Sequence, residues 1–130
     1  EAKTDCAVLI FDYHRIIGTC SSSCSFHRTL IFNMLGIINE KNQQLSEKLL
    51  ILSKRSSREK LLAFLSAEAQ KAGSHQFRIH FTRQELADYL SLDRSALSNE
   101  LSKMQKDGLI RCDRNDFSLL NKEYPVSFVS

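Results

Sequence analysis

At 130 residues, with 42% hydrophobic and 25% charged side chains, the chain has the composition of an ordinary globular protein of one or two small domains. No apolar run is long enough to span a bilayer and no basic-then-apolar leader opens the chain, while four cysteines (Cys6, Cys20, Cys24, Cys112) are too sparse for a disulfide scaffold and fit a reducing cytoplasm. The formal net charge of +3 permits a nucleic-acid partner without requiring one.

The chain starts at Glu1, almost in mid-pattern, and a fragment of a longer protein is expected. Cys6 to Phe11 (CAVLIF) reads as a short buried strand that cannot make a stable sheet alone. Asp12 to Ile17 fits one helical turn ending at Gly18. Cys20 and Cys24, four residues apart, could share a metal or cluster, and His27 follows three residues on. Two thiols and one imidazole leave a tetrahedral set short, so reduced thiols without metal are expected; a redox or metal sensor is the alternative.

From Ser25 to Ser53 the pattern is one long helix. Ile31, Leu35, Ile38, Asn42, Leu45, Leu49 and Leu52 alternate spacings of four and three, an unbroken heptad seam. A seam asparagine such as Asn42 fixes register and strand number at some cost in stability. Leu30, Met34 and Ile37 widen the apolar face of the N-terminal half, which must meet a second surface as well. A helix buried in its own monomer would share some of this pattern; the length of the seam favours a parallel dimer.

Lys54-Arg55 breaks the apolar pattern as a short hinge. Ser56 and Glu59 form a capping box that opens a helix with Leu61, Leu62, Phe64 and Leu65 inward and Gly73 at its end. Gln76 to Phe81 (QFRIHF) alternates as a strand, with Phe77, Ile79 and Phe81 on one face. Thr82 and Glu85 make a second capping box, after which Leu86, Ala87 and Leu90 recur at helical spacing. Ser91-Leu92-Asp93 turns the chain, and Asp93 is placed to cap a further helix. In that helix Leu97, Leu101 and Met104 share one side; Ser95, Asn99, Ser102 and Lys106 share the other, with Arg94 in the first turn and Asp107-Gly108 as the stop.

Short polar side chains let a helix approach base edges closely, and an arginine at its start can meet a guanine with two hydrogen bonds. Periodicity alone leaves this open against an ordinary helical hairpin with a polar surface. Leu109 to Cys112 and Phe117 to Leu120 read as two short strands around Asp113-Arg114-Asn115-Asp116, joining QFRIHF in a small sheet with a wing. The tail from Asn121 carries Pro125 and suggests no function.

The stretch TRQELADYLSLDRSALSNELSKMQKDGLI resembles the helix-turn-helix of the CRP/FNR family of bacterial transcription regulators, through its T-R-Q-E-L opening, the Asp-Arg at the second helix and the L-S-K-M-Q-K-D-G-L-I exit. Ser56 to Leu62 extends the match upstream, and the resemblance covers nearly the whole chain. It implies a mainly α fold with a small β-sheet: residues 1–23 a remnant of an effector-binding β-barrel, 24–53 a long dimerisation helix, 54–130 a winged helix-turn-helix. The implied activity is operator binding by a homodimer whose recognition helices enter successive major grooves of a near-palindromic site, about 34 Å apart. An unidentified effector in the missing barrel would set their spacing. Arg94, Ser95, Ser98 and Asn99 become the base-reading candidates; Thr82, Arg83, Gln84, Lys103 and Arg114 the phosphate contacts. Double-stranded DNA, a second copy of the chain and RNA polymerase are the implied partners, with no membrane and no cofactor in this chain.

Ser95 stands where an acidic residue is frequent in the family, and Asn99 where some members carry arginine, so the site read need not be the familiar one. Asparagine favours adenine when bidentate, which points to an A-containing half-site. Arg94-Ser95-Ala96 copies the end of a cyclic-nucleotide phosphate cassette, but here it opens a helix after a turn and is a coincidence. His14, His27, His75 and His80 are scattered with no nucleophile and orienting acid in a recognisable pattern, so no enzymatic activity is expected. A winged helix serving only protein contacts is the remaining alternative; it would call for exposed aromatic or aliphatic anchors on the outward helix face, which has none.

Overall fold

The computed structural model describes residues 4–10, 12, 14, 16 and 24–120. Residues 5–10 form no strand, and Val8, Leu9 and Ile10 are 77%, 77% and 89% exposed. The strand expected there is absent because no second strand among the described residues takes up its backbone hydrogen bonds. Ile16 N donates to the Asp12 carbonyl at 3.3 Å, one turn of helix as expected; its end at Gly18 lies outside the described residues.

Helix α1 (Ser25–Leu52) follows the heptad stretch almost to the residue. The chain divides into two compact units between Leu45 and Ser46. The first contains the N-terminal part of α1, with Leu35, Ile37 and Ile38 exposed. The second unit begins with the last two turns of α1, and Ile51 there is 1% exposed within its core.

The other elements of the second unit follow their local signals. Helix α2 (Ser57–Ala72) starts at the Ser56 capping box: Ser56 Oγ accepts the Glu59 N–H, and the Glu59 carboxylate accepts from Ser56 N and Arg55 N, each at 3.1 Å. Those donors and burial act in opposite directions on Glu59; the Ser56 N–H is the larger effect and holds the carboxyl below its ordinary range. The helix ends at Gly73, whose φ of 61° suits the one residue without a Cβ. Leu61, Phe64 and Leu65 are buried and Leu62 lies half-buried at the rim.

Strand β1 (Gln76–Arg78) is shorter than the alternation suggested. Ile79 still donates to the Asn115 carbonyl at 3.0 Å, but Phe81 leaves the sheet. Its ring instead meets Phe64 and Tyr89, with centroids 5.8 and 5.3 Å away, and Thr82 turns the chain into the next helix. Strands β2 (Ile110–Asp113) and β3 (Asp116–Leu119) form an antiparallel hairpin, and the sheet runs β1-β3-β2. Phe77, Phe117 and Cys112 share a register and face the core, with Phe77 and Phe117 stacked at 6.2 Å. Opposite them Leu61, Leu65, Leu86, Leu97 and Met104 are fully buried, each worth about 1.5–3 kcal/mol of transfer free energy.

Candidate nucleic-acid interface

Helix α3 (Arg83–Leu90) starts at Thr82, whose Oγ1 accepts the Glu85 N–H while Glu85 Oε2 accepts the Thr82 N–H. Accepting that bond leaves the Thr82 hydroxyl proton available to an outside acceptor. Ser91 ends α3 in the left-handed region (φ 52°), and Lys60 Nζ reaches the Leu90 carbonyl at 3.3 Å. Helix α4 (Arg94–Lys106) then begins.

Asp93 has the extended backbone of an N-cap, but its side chain makes no capping hydrogen bond, contrary to expectation. It lines an open cleft of about 640 Å³ between α3 and α4, together with Gln84, Asp88, Leu92, Arg94, Ser95 and Ser98. A carboxylate in open water keeps its own hydration and loses little by leaving the cap unmade.

The two faces of α4 are sharply different. Leu97, Leu101 and Met104 are 0%, 3% and 0% exposed, whereas Arg94, Ser95, Ser98, Asn99 and Ser102 are all exposed. The structure thus brings the four base-reading candidates onto one open surface. Thr82, Gln84, Lys103 and Arg114 are also exposed, on α3, α4 and the hairpin turn. Gln84 Nε2 is held by Asp88 at 2.9 Å.

Arg83 is placed differently from the other phosphate candidates. Its Nη2 donates to the Arg114 carbonyl and to Cys112 Sγ, both at 2.8 Å, and its Cζ lies 5.3 Å from the Phe117 ring centroid. Its Nη1 is buried with no partner among the described residues. The guanidinium is folded against the inner side of the hairpin rather than extended from the surface.

Local sequence signals missed one further feature. Arg58 Nε lies 2.6 Å from Glu100 Oε1 and Arg58 Nη1 lies 2.7 Å from Asp107 Oδ2, joining α2 to two points on α4. The partners are 42 and 49 residues apart in sequence, so no helical or strand periodicity announces them.

Of the seam residues, Leu35, Ile38, Leu45 and Leu49 are 59–68% exposed, Asn42 is exposed, and Ile31 and Leu52 are half-buried; Phe32 and Ile37, off the seam, are exposed as well. Cys24 Sγ lies 2.8 Å from His27 Nδ1; Cys20 is outside the described residues. No group of three or more metal-ligating side chains occurs among the described residues, and no described helix is long and apolar enough to cross a membrane.

Residues 59–124, just over half of the chain, match the model of the Crp-like helix-turn-helix domain. The chain is 38% identical over 69 residues to Electron transport regulator A of Shewanella oneidensis, covering 49% of this chain and 28% of that protein. It is equally identical, over the same length, to Regulatory protein HlyX of Actinobacillus pleuropneumoniae, covering 49% and 29%. The chain therefore spans well under half the length of these relatives. A crystal structure of a crp/fnr family protein from Eubacterium rectale superposes with a TM-score of 0.52 at 16% identity, over 78% of this chain and 44% of that one, a likeness of fold.

Proposed function

The chain belongs to the CRP/FNR family through its Crp-like helix-turn-helix domain, and we propose that it is the dimerisation and operator-binding part of a transcription regulator that acts as a homodimer on a near-palindromic DNA site. The observation that carries this reading is α4: a helix buried along Leu97, Leu101 and Met104 whose N-terminal half presents Arg94, Ser95, Ser98 and Asn99 outward. Such a face enters a major groove, where Arg94 meets the O6 and N7 of a guanine and Ser95, Ser98 and Asn99 reach neighbouring base edges. Thr82, Gln84, Lys103 and Arg114 take phosphates and set the register. Arg83 serves the backbone contact through the turn that it holds.

The exposed heptad face of α1 pairs with that of a second chain, and an effector region outside this chain governs the spacing of the two recognition helices. DNA, the second copy and RNA polymerase are its partners in the cytoplasm. The test is selection of bound sites from random duplex DNA by the intact chain, followed by footprinting. Two half-sites whose centres lie about one helical turn apart are expected. Recovery of no enriched sequence, or of a single unrepeated half-site, would contradict the reading.

A further inference from the structure

We infer that Arg58 is a positioning residue for the recognition helix: one guanidinium on α2 grips Glu100 in the middle of α4 and Asp107 at its end, and so sets the angle at which α4 meets DNA. The inference rests on the base-reading role proposed for α4. Glu100 and Asp107 are seven residues apart, two turns along one side of α4, so two anchors on a single planar group fix direction as well as distance. The Glu100 side chain is only 16% exposed, which makes its geometry less free than that of a surface pair. The hydrogen bonds it donates to Glu100 and, less strongly, to Asp107 hold the guanidinium in its charged form more firmly than in water.

The location of Arg58 gives the clamp its consequence. It lies in the first turn of α2, two residues after the Ser56 cap and just beyond the break that ends α1. Leu97, Leu101 and Met104 anchor α4 on the core by apolar contacts, which allow a helix to roll or slide with little change in buried area. The ion pairs supply directional restraint on that motion. Displacement of the start of α2 is therefore carried to α4 through Arg58, without Arg58 touching a base or phosphate.

The test uses the full chain, a duplex recovered by it from a random pool, and a scrambled duplex of the same length. Arg58→Gln and Glu100→Gln are each measured with thermal unfolding as a check of folding. Glu100→Gln is the decisive variant because it removes a negative charge from the helix that approaches DNA while leaving the base-reading side chains untouched. Electrostatics alone would make it bind more tightly, whereas loss of positioning makes it bind the recovered duplex about tenfold more weakly. The two losses should overlap in the double variant, which binds no worse than either single one, and the salt slope should stay at the wild-type value. Tighter binding by Glu100→Gln, wild-type binding by Arg58→Gln, or a salt slope reduced by about one ion for Arg58→Gln would each overturn the inference. Failure of the wild-type chain to prefer its recovered duplex over the scrambled one would instead remove the functional reading beneath it.

Discussion

The guanidinium of Arg83 donates to the backbone carbonyl of Arg114 at 2.8 Å, so the residue that opens α3 holds the turn of the β2–β3 hairpin. Arg114 adopts φ 50°, and the Cys112 thiol also points at its carbonyl, 3.6 Å away. Arg83→Ala should destabilise the chain by about 1–2 kcal/mol, the worth of a charged hydrogen bond and a ring contact, and weaken binding to all duplexes. Arg83→Lys discriminates between two roles, because it keeps the charge but not the forked geometry. A wing-holding role predicts that lysine fails nearly as badly as alanine in binding titrations; full rescue by lysine would mark Arg83 as a simple phosphate contact.

Arg94 and Lys103 are both exposed on α4 and should fail in different ways. Arg94→Ala is expected to cost about 1–3 kcal/mol on the specific site and to relax preference at one base pair. Lys103→Ala should weaken all sequences alike and lower the salt slope by about one ion per subunit. Titrations of matched and single-mismatch duplexes over a range of salt separate the two. Equal losses on every duplex for Arg94→Ala would make it a phosphate clamp.

Leu45 and Leu49 are 62% and 68% exposed on the heptad face of α1. Replacing both with glutamate should change the stability of the winged helix by no more than about 0.5 kcal/mol, as at other surface sites. Sedimentation velocity should show a dimer for the wild-type chain and a monomer for the variant. A variant that still sediments as a dimer would exclude this seam as the contact.

Glu59 links pH to stability through the α2 cap. Its folded carboxyl titrates below the ordinary glutamate range, chiefly because it accepts the Ser56 N–H. A lowered folded pKa means stability that is present above the unfolded value and lost as pH falls through the folded one. Glu59→Gln should flatten the dependence of the unfolding midpoint below about pH 4.5, with little change in that dependence at neutral pH. Unfolding curves of the two proteins from pH 7 to pH 3 provide the measurement; parallel curves throughout would show that the cap carries no linked proton.

Local chemistry was enough to locate most of this protein's elements. Ser56 and Thr82 each stand three residues before a glutamate, and both capping boxes form because every partner is within one helical turn. Gly73 and Gly108 mark chain reversals for the same local reason, and the spacing of Leu97, Leu101 and Met104 selects the buried side of α4. The family resemblance then named the candidate base-reading and phosphate residues. Only the tertiary structure decided what a side chain with several options does. Phe81 left the expected strand and packs against the rings of Phe64 and Tyr89, and Asp93 faced the cleft instead of capping. Arg83 folded onto a hairpin 31 residues away, and Arg58 found Glu100 and Asp107 across the core. Helical and strand periods report only the face on which a residue lies. Which distant group meets it there depends on how the elements pack.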